Sequence, residues 1–275
     1  MKRIARVFPR RTAATPTDEM SFTGPPPMFL PEIDIVHISV AFTYDLPRAE
    51  WLREQWAGRG YVVEMGGPAI GLPGGDFIPG MYLKPGYVIT SRGCPNSCWF
   101  CKVWKREGRL REIPITKGHI VLDDNLLACS YGHIKNVFAM LKQQPDRPVF
   151  AGGFEASLLR SWCVDMLRDA KARRVYFAYD DQVDYEPLVE AGRLLRLGGI
   201  TKESHIASCY VLIGYAGDTF DLAEKRLRAT WDAGFMPFAM LYRDDHGKVD
   251  DDWKRFQRSW VIPQIVASKL RKVGA

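Results

Sequence analysis

The sequence predicts an α/β protein, and two observations support this. Six short runs of apolar, often β-branched residues alternate with segments of helical spacing, which is the pattern of a parallel sheet. Nearly every run ends on glycine or on a polar residue, and barrel enzymes build their sites at that end of their strands. Together these features predict a partial (β/α)6 TIM-like barrel with a small N-terminal α/β module.

Four segments are predicted along the chain. The first has a basic start and a Pro/Thr-rich continuation, which predicts a disordered arm and linker. The second has an apolar strand, an amphipathic helix and a short strand before a glycine pair, which predicts a small Rossmann-like module. A barrel and a helical extension follow. The predicted ranges are 1–30 for the arm, 31–86 for the module, 87–245 for the barrel and 246–275 for the extension.

The elements of the barrel follow in order from apolar periodicity and from glycine or polar breaks. The predicted strands lie at 87–90, 120–122, 149–151, 175–178, 208–213 and 238–241. The predicted helices lie at 131–143, 155–171, 220–233 and 250–260, and a further predicted helix follows Asp181 and ends at about residue 197.

Composition favours an ordinary globular enzyme, with 47% hydrophobic and 25% charged residues in 275. No apolar run approaches the length of a membrane span, so no membrane partner is expected. The net charge is +6. Five positive charges fall in the first eleven residues, which leaves +1 for the rest of the chain and weakens the case for a nucleic-acid surface. The start lacks the apolar region of a signal peptide, and thiols kept reduced predict a cytoplasmic protein. The basic residues of the arm are Lys2, Arg3, Arg6, Arg10 and Arg11.

Three of the six cysteines, Cys94, Cys98 and Cys101, have C-x3-C-x2-C spacing. Three thiolates can hold three corners of a 4Fe–4S cluster and leave the fourth iron open to a small molecule. A disulfide framework is disfavoured because the core is large and no secretory leader precedes it. A structural zinc site needs a second ligand pair, which the sequence lacks. A chance group of buried thiols is the other alternative. The remaining cysteines, Cys129, Cys163 and Cys209, have apolar neighbours and are predicted to be buried.

The cysteine spacing, with Phe100 before the third cysteine, resembles the signature of the radical S-adenosylmethionine (SAM) enzymes. The resemblance covers about residues 87–243 and implies a six-stranded partial barrel, a 4Fe–4S cluster and bound SAM. It also implies an external flavodoxin- or ferredoxin-like electron donor. In that family, reductive cleavage of SAM gives a 5′-deoxyadenosyl radical that abstracts hydrogen from a substrate. Trp99 and Phe100 are expected to cover the adenine or to shield the cluster.

The resemblance also implies SAM contacts at the ends of two strands. Asp124 and Asn125, which follow Asp123, are expected to accept from the SAM ammonium or ribose, with an Asx turn as the alternative. Gly152, Gly153 and Glu155 resemble a glycine-glycine-glutamate element that meets the methionine ammonium, although Phe154 intervenes. A glycine turn with Glu155 in the first turn of a helix is the alternative.

Three later strand ends complete the implied SAM site. Asp180 or Asp181 is expected to receive a ribose hydroxyl, although acidic residues at a helix start also suit the helix dipole. Leu212 and Gly214 resemble the fifth-strand adenine element, with a buried strand ending in a turn as the alternative. Arg243 is expected to pair with the methionine carboxylate.

The N-terminal module, with Gly66 and Gly67, resembles a shortened cobalamin-binding domain. The Asp-x-His-x-x-Gly motif that supplies the lower ligand is missing, so no cobalamin is expected. Residues 102–111 carry a local charge of +4, which predicts a phosphate-bearing substrate such as a nucleotide or nucleic acid. A solvated basic loop is the alternative.

Two other functions stay open. One is a zinc-stabilised nucleic-acid-binding protein that uses the basic arm. The other is a partner-dependent subunit that binds SAM without cleaving it.

Overall fold

The computed structural model describes residues 2–244 and 246–271. The predicted boundary at residue 245 and the predicted extension over 272–275 lie outside that range. Two parallel sheets and one short antiparallel hairpin make up the strands of the described chain, so the α/β prediction is confirmed. No helix in the described ranges has the length and apolar character needed to cross a membrane.

The first sheet forms the N-terminal module. Its four strands are all parallel and lie in the order β2-β1-β3-β4. Leu52 and Trp56 of the single helix are fully buried and pack with Val7 and Ile38 of the sheet. The elements are β1 (Ile4–Val7), β2 (Ser21–Phe22), β3 (Ile35–Ser39), α1 (Leu46–Ala57) and β4 (Val63–Gly66).

The structure corrects the prediction of a disordered arm over residues 1–30. Strand β1 lies in the middle of the sheet, and its Ala5 and Val7 are fully buried. The basic residues that suggested a solvated tail bind acidic groups distant in sequence, so the local charge pattern concealed a strand. Arg3 pairs with Glu32 and Asp34, Arg6 pairs with Asp18, and Arg10 pairs with Asp45.

A hairpin separates the first two strands of the second sheet. β5 (Tyr87–Val88) begins that sheet, and β6 (Ser91–Arg92) follows it after two residues. The chain then forms a loop that contains α2 (Val103–Glu107) and returns as β7 (Arg111–Glu112), antiparallel to β6. All three clustered cysteines lie between β6 and β7.

The second sheet contains all six predicted strands, each parallel to its neighbours. Their spatial order is β5-β8-β9-β10-β11-β12, so each strand lies beside the one that precedes it in the chain. The further elements are β8 (Ile120–Val121), α3 (Tyr131–Lys142), β9 (Val149–Phe154), α4 (Ser161–Asp169), β10 (Arg174–Tyr179), α5 (Tyr185–Leu197), β11 (Ala207–Ile213), α6 (Phe220–Asp232) and β12 (Met236–Leu241).

Two boundaries near the candidate site differ from the prediction. Strand β9 does not stop before the glycine pair but continues to Phe154. The helix predicted from Glu155 begins only at Ser161, after a short 3-10 turn. Glu155 therefore stands in an extended segment and not in the first turn of a helix.

The chain beyond the second sheet forms α7 (Asp251–Arg258) and α8 (Pro263–Arg271). Trp260, which lies between them, is fully buried. It joins Val266 in a core under β11 and β12. This part of the chain therefore covers the last two strands.

Candidate functional site

The clustered cysteines lie on the segment between β6 and β7, residues 93–110, which we call the cysteine loop. Its two ends touch at Gly93, which has a φ of +85°. A Cβ added there would lie 2.5 Å from the Arg109 carbonyl oxygen. Only glycine therefore lets the loop close this tightly.

Two aspartates at the end of β8 anchor the start of the cysteine loop. Asp123 accepts hydrogen bonds from the Thr90 backbone at 2.6 Å, the Thr90 hydroxyl at 2.6 Å and the Ser91 hydroxyl at 2.7 Å. Asp124 accepts from the Gly93 backbone at 2.8 Å. Burial raises the pKa of both carboxyls, and these hydrogen bonds oppose the rise. The carboxyl end of the parallel sheet thus fixes where the loop begins.

Asn125 and Glu155 lie beside the first cysteine. The Asn125 side-chain nitrogen lies 3.4 Å from Cys94 Sγ and donates to Glu155 Oε2 at 2.7 Å. Glu155 Oε2 also accepts from Asn96 of the cysteine loop at 2.9 Å, and Oε1 accepts from Ser157 at 2.7 Å. The structure thus brings together two of the predicted SAM contacts and one cysteine.

The amide oxygen of Asn125 is buried without a hydrogen-bond partner. Exchanging the amide's oxygen and nitrogen would turn an oxygen toward the Glu155 carboxylate, which would repel it, so the orientation follows from the network. A buried acceptor left unpaired costs about 1–3 kcal/mol. This atom therefore marks a place where a hydrogen-bond donor would bind favourably.

The glycine pair of β9 lets two strand ends meet. A Cβ on Gly152 would lie only 1.9 Å from the carbonyl oxygen of Asp123, so no other residue fits there without moving a strand. Gly153 has a φ of +94°, which also favours glycine. The pair brings Glu155 close to Asn125, which is a packing role that the sequence did not indicate.

The three thiols differ in exposure. Cys98 is exposed, whereas Cys94 and Cys101 are partly buried. Burial raises the pKa of the Cys98 and Cys101 thiols, and the charge of neighbouring thiols acts in the same direction. The Cys98 carbonyl accepts from the Cys101 backbone and from the Trp104 ring nitrogen, each at 3.1 Å, which fixes the turn between these cysteines. Within the described ranges, no three His, Cys, Asp or Glu side chains converge as a ready metal site.

Aromatic side chains connect the cysteine loop to the far side of the sheet. The ring of Trp99 lies 5.4 Å from Phe100, 5.4 Å from Tyr215 and 5.7 Å from Tyr242, centroid to centroid. Tyr215 and Tyr242 follow β11 and β12. The loop therefore extends from the end of β8 to the ends of the last two strands, although Trp99 keeps 57% of its surface exposed.

A cavity of about 830 Å³ opens beside Trp99, between the ends of β10 and β11 and helix α6. Asp180 lines it, and burial raises the pKa of this carboxyl to about 7. Asp180 accepts a hydrogen bond from the Leu212 backbone at 3.1 Å. Asp181 instead forms a capping box with Asp184 at the start of the next turn. The structure thus separates two aspartates that the sequence could not distinguish.

Arg226 of α6 lines the same cavity from the other side. It donates to the Leu212 carbonyl at 3.0 Å and to the Asp218 carboxylate at 2.8 Å. Its Nε is buried without a hydrogen-bond partner. Tyr215 stacks under the guanidinium at 5.3 Å. The cavity therefore combines a protonatable acid, a paired cation and aromatic rings.

Strand β11 presents two faces. Val211 and Ile213 point into the core under the C-terminal helices, whereas Leu212 has the opposite orientation and belongs to neither large core cluster. Gly214 has a φ of +73°, and a Cβ there would lie 2.7 Å from Leu241. Leu212 and Gly214 thus occupy positions that suit the predicted adenine element, and the adenine contact stays a prediction.

Arg243 lies elsewhere. Its guanidinium stacks on Tyr44 of the N-terminal module, 5.2 Å from the ring centroid. Within the described residues, no hydrogen bond or ion pair connects it to Asn125 or Glu155. The predicted contact with the methionine carboxylate stays a prediction without geometric support.

Several residues of the site escaped the sequence analysis. Thr90, Ser91 and Asn96 anchor the cysteine loop, and Tyr215 and Arg226 line the cavity. Asn96 lies inside the cysteine motif itself, so its position was a usable signal. Arg226 lies on an ordinary amphipathic helix, and no local pattern distinguishes it.

The buried cysteines and the basic segment also have definite positions. Cys129, Cys163 and Cys209 are at most 8% exposed, as predicted. In the segment 102–111, Arg106 and Arg111 both bind the buried Glu107, at 2.9 and 2.8 Å. Two of the five basic side chains of this segment are therefore paired with Glu107, whose charge the net value of +4 already includes.

Comparison with known proteins identified no family for this chain. No protein-family model matches the chain, and no curated protein matches it. Function is therefore inferred from the site's own residues.

Proposed function

We propose that this chain is a radical SAM enzyme that holds one 4Fe–4S cluster on Cys94, Cys98 and Cys101. The supporting observation is the position of the C-x3-C-x2-C loop, which is anchored to the carboxyl ends of a parallel sheet beside an unpaired buried acceptor. Parallel α/β sheets bind their ligands at this end of the strands. The sequential strand order also supports a partial barrel as the architecture.

The donor set suits an iron–sulfur cluster with one open iron. Three thiols lie on one short loop and influence each other's ionisation, and the remaining cysteines are buried. Thiolates are the usual ligands of such clusters. When bound, the cluster would supply one electron to the SAM sulfonium. The chain's own contribution is the closed loop, whose ends meet at Gly93, and the aromatic cover of Trp99 and Phe100.

The Asn125 and Glu155 pair suits the methionine ammonium of SAM. An ammonium group has three donors and no acceptor. It would satisfy the unpaired Asn125 oxygen and add a charge-assisted bond to the Glu155 carboxylate, beside Cys94. Asp124 has a different role in this proposal, because its carboxylate already holds the loop backbone at Gly93.

The cavity beside Trp99 suits the nucleoside half of SAM. Asp180 faces this space, and with a pKa of about 7 its carboxyl can accept from or donate to a ribose hydroxyl near neutral pH. Trp99 and Tyr215 offer ring faces for a purine. Leu212 lies on the opposite face of β11 and does not line this cavity, so the predicted adenine contact at Leu212 is not part of this proposal.

The ion pairs of the structure bear on two predictions, the phosphate-bearing substrate and the nucleic-acid-binding alternative. A phosphate-bearing substrate would be bound mainly by the exposed Lys102, Lys105 and Arg109, because Arg106 and Arg111 bind Glu107. The zinc-stabilised nucleic-acid-binding alternative relied on a free basic arm, and three arginines of that arm pair with acidic groups of the N-terminal module. We therefore retain the radical SAM proposal alone.

Product analysis tests this proposal. Anaerobically reconstituted protein is reduced with dithionite, incubated with SAM, and its products are separated by chromatography. We expect 5′-deoxyadenosine and methionine, formed slowly when no substrate is present. S-adenosylhomocysteine as the only product would contradict radical initiation and favour polar methyl transfer.

A further inference from the structure

A second cavity, of about 510 Å³, lies between the N-terminal module and the hairpin of β6 and β7, and none of the three clustered cysteines lines it. It opens at the carboxyl ends of three parallel strands, beside Phe8 after β1, Ser39 at the end of β3 and Gly66 at the end of β4. Its volume falls within the range of about 300–1,000 Å³ that is usual for small-molecule sites.

The sheet topology places this cavity at a switch point. From β1 the chain passes to β2 on one side of the sheet and then crosses to β3 on the other side. In open parallel sheets, ligands bind in the crevice outside the strand ends where the order reverses in this way. The cavity next to β1 and β3 occupies that position.

The backbone at the cavity is built for close approach. Gly67 has a φ of +106°, and a Cβ there would lie 2.6 Å from the carbonyl oxygen of Val40. Apolar side chains supply most of the remaining wall. They include Phe8, Phe42, Leu72, Phe77 and Ile78.

One cation at the cavity, Arg92, forms no direct ion pair among the described residues, although the exposed carboxylates of Glu64 and Asp76 also line the cavity. The Nε of Arg92 donates to the Gly75 carbonyl at 2.9 Å. A Cβ on Gly74 would lie 2.6 Å from the guanidinium carbon, so this glycine lets Arg92 lie flat against the loop. By contrast, the buried carboxylates that line the cavity, Asp45 and Glu107, are already paired with arginines.

Polar side chains also line the cavity. The Tyr82 hydroxyl lies 2.6 Å from His37 Nδ1, and His37 Nε2 lies 3.4 Å from Glu64. His37 and Ser39 share one face of β3, because alternate residues of a strand point the same way. Both line the cavity, which therefore offers hydrogen-bonding groups in addition to a cation.

From this arrangement we propose that the cavity between the N-terminal module and the hairpin binds a small organic anion with an apolar body, whose carboxylate or phosphate pairs with Arg92. The apolar walls accept the body of the ligand, and Arg92 offers guanidinium N–H groups for bidentate contact with the anion. Because Arg92 belongs to β6, directly before the cysteine loop, an occupied cavity also contacts the segment that positions the cysteines.

The test uses 1-naphthoate as the probe, 1-naphthamide as its uncharged counterpart and 1-naphthyl phosphate as the alternative anion. Binding to the full chain is measured by calorimetry. We expect naphthoate or the phosphate to bind more tightly than naphthamide, and the stronger of the two identifies the preferred anion.

Two variants locate the site, and one serves as a control. Arg92→Gln should weaken anion binding about ten-fold and leave naphthamide binding nearly unchanged. Ser39→Phe places a ring in the cavity and should abolish binding of all three probes. Arg59→Gln, an exposed arginine beyond α1, should change nothing.

Three outcomes would overturn this proposal. They are the absence of binding up to about 1 mM, equal binding of naphthoate, naphthyl phosphate and naphthamide, and anion binding that neither Arg92→Gln nor Ser39→Phe changes. Circular dichroism of each variant verifies folding. If one variant does not fold, the other still decides the question.

Discussion

The two parallel sheets of this protein differ in what the chain adds at their carboxyl ends. The N-terminal sheet ends at loops around an open cavity, whose polar groups include arginine, histidine, tyrosine and carboxylate side chains. The second sheet carries an inserted hairpin, and the thiols lie on that hairpin and not on the sheet. The carboxyl ends of the two sheets therefore carry different side chains, because the thiols beside the second sheet lie on the inserted hairpin.

The anchoring of the insertion sharpens this contrast. Asp123 and Asp124 hold the first residues of the cysteine loop, and Asn125 contacts its first cysteine. The turns of the N-terminal sheet have no equivalent run of three polar residues directed at one loop. This anchoring would fix the ligands of the proposed cluster.

The largest expected effect comes from the cysteines themselves. Alanine at Cys94, Cys98 or Cys101 should abolish the visible absorbance of the cluster and all SAM cleavage, since a cluster ligand is lost each time. Absorption spectra of the reconstituted variants measure this.

Cys129→Ala is the matched control. Cys129 is buried behind the hairpin and should be dispensable for both properties. A variant at Cys98 that kept full absorbance, or a Cys129 variant that lost it, would break the assignment of the thiols to the inserted loop.

A smaller effect is expected at Asn125. Asn125→Ala removes the unpaired acceptor and the contact with Cys94, and we expect SAM cleavage to fall about ten- to one-hundred-fold with the cluster retained. SAM affinity and 5′-deoxyadenosine formation are measured separately.

Asn96→Ala serves as the comparison for Asn125, because Asn96 also donates to Glu155 but is exposed and leaves no buried acceptor unpaired. Its effect should be weaker. Equal losses from both variants would show that Asn125 acts only by orienting Glu155.

A further effect concerns the pH dependence of the free energy of unfolding, through Asp180. Burial raises the pKa of this carboxyl in the folded protein to about 7, whereas an unfolded aspartate titrates near about 4. Between these values the unfolded chain releases the proton first, so stability falls as pH rises from about 4 to 7. The loss is at most about 4 kcal/mol.

Asp180→Asn should remove this decline, because asparagine does not titrate. Urea unfolding of both proteins at several pH values measures the difference. Parallel pH profiles for wild type and Asp180→Asn would contradict a buried, protonated Asp180.

The sequence predicted the second sheet better than it predicted the first. Its strands are long or strongly apolar and end on clear breakers, such as Gly214 after β11. Strand β1 was missed because Arg3 and Arg6 looked like a solvated tail, and their acidic partners lie 12 to 31 residues away. Ion pairs over such distances leave no local pattern.

The sequence predicted several residues of the candidate site but not the contacts between them. The cysteine spacing and the polar strand ends identified Asn125, Glu155 and Asp180. The hairpin that carries the cysteines has strands of two residues each, too short for any periodicity to indicate. The glycine pair was expected to meet a ligand, whereas Gly152 is required by the close approach of Asp123.

Metal and sulfide analysis of the reconstituted protein tests the central claim most directly. Protein prepared without oxygen is analysed for iron, acid-labile sulfide and zinc. The cluster assignment predicts about four irons and about four sulfides per chain. Stoichiometric zinc without sulfide would contradict it and would make the cysteine loop a structural zinc site.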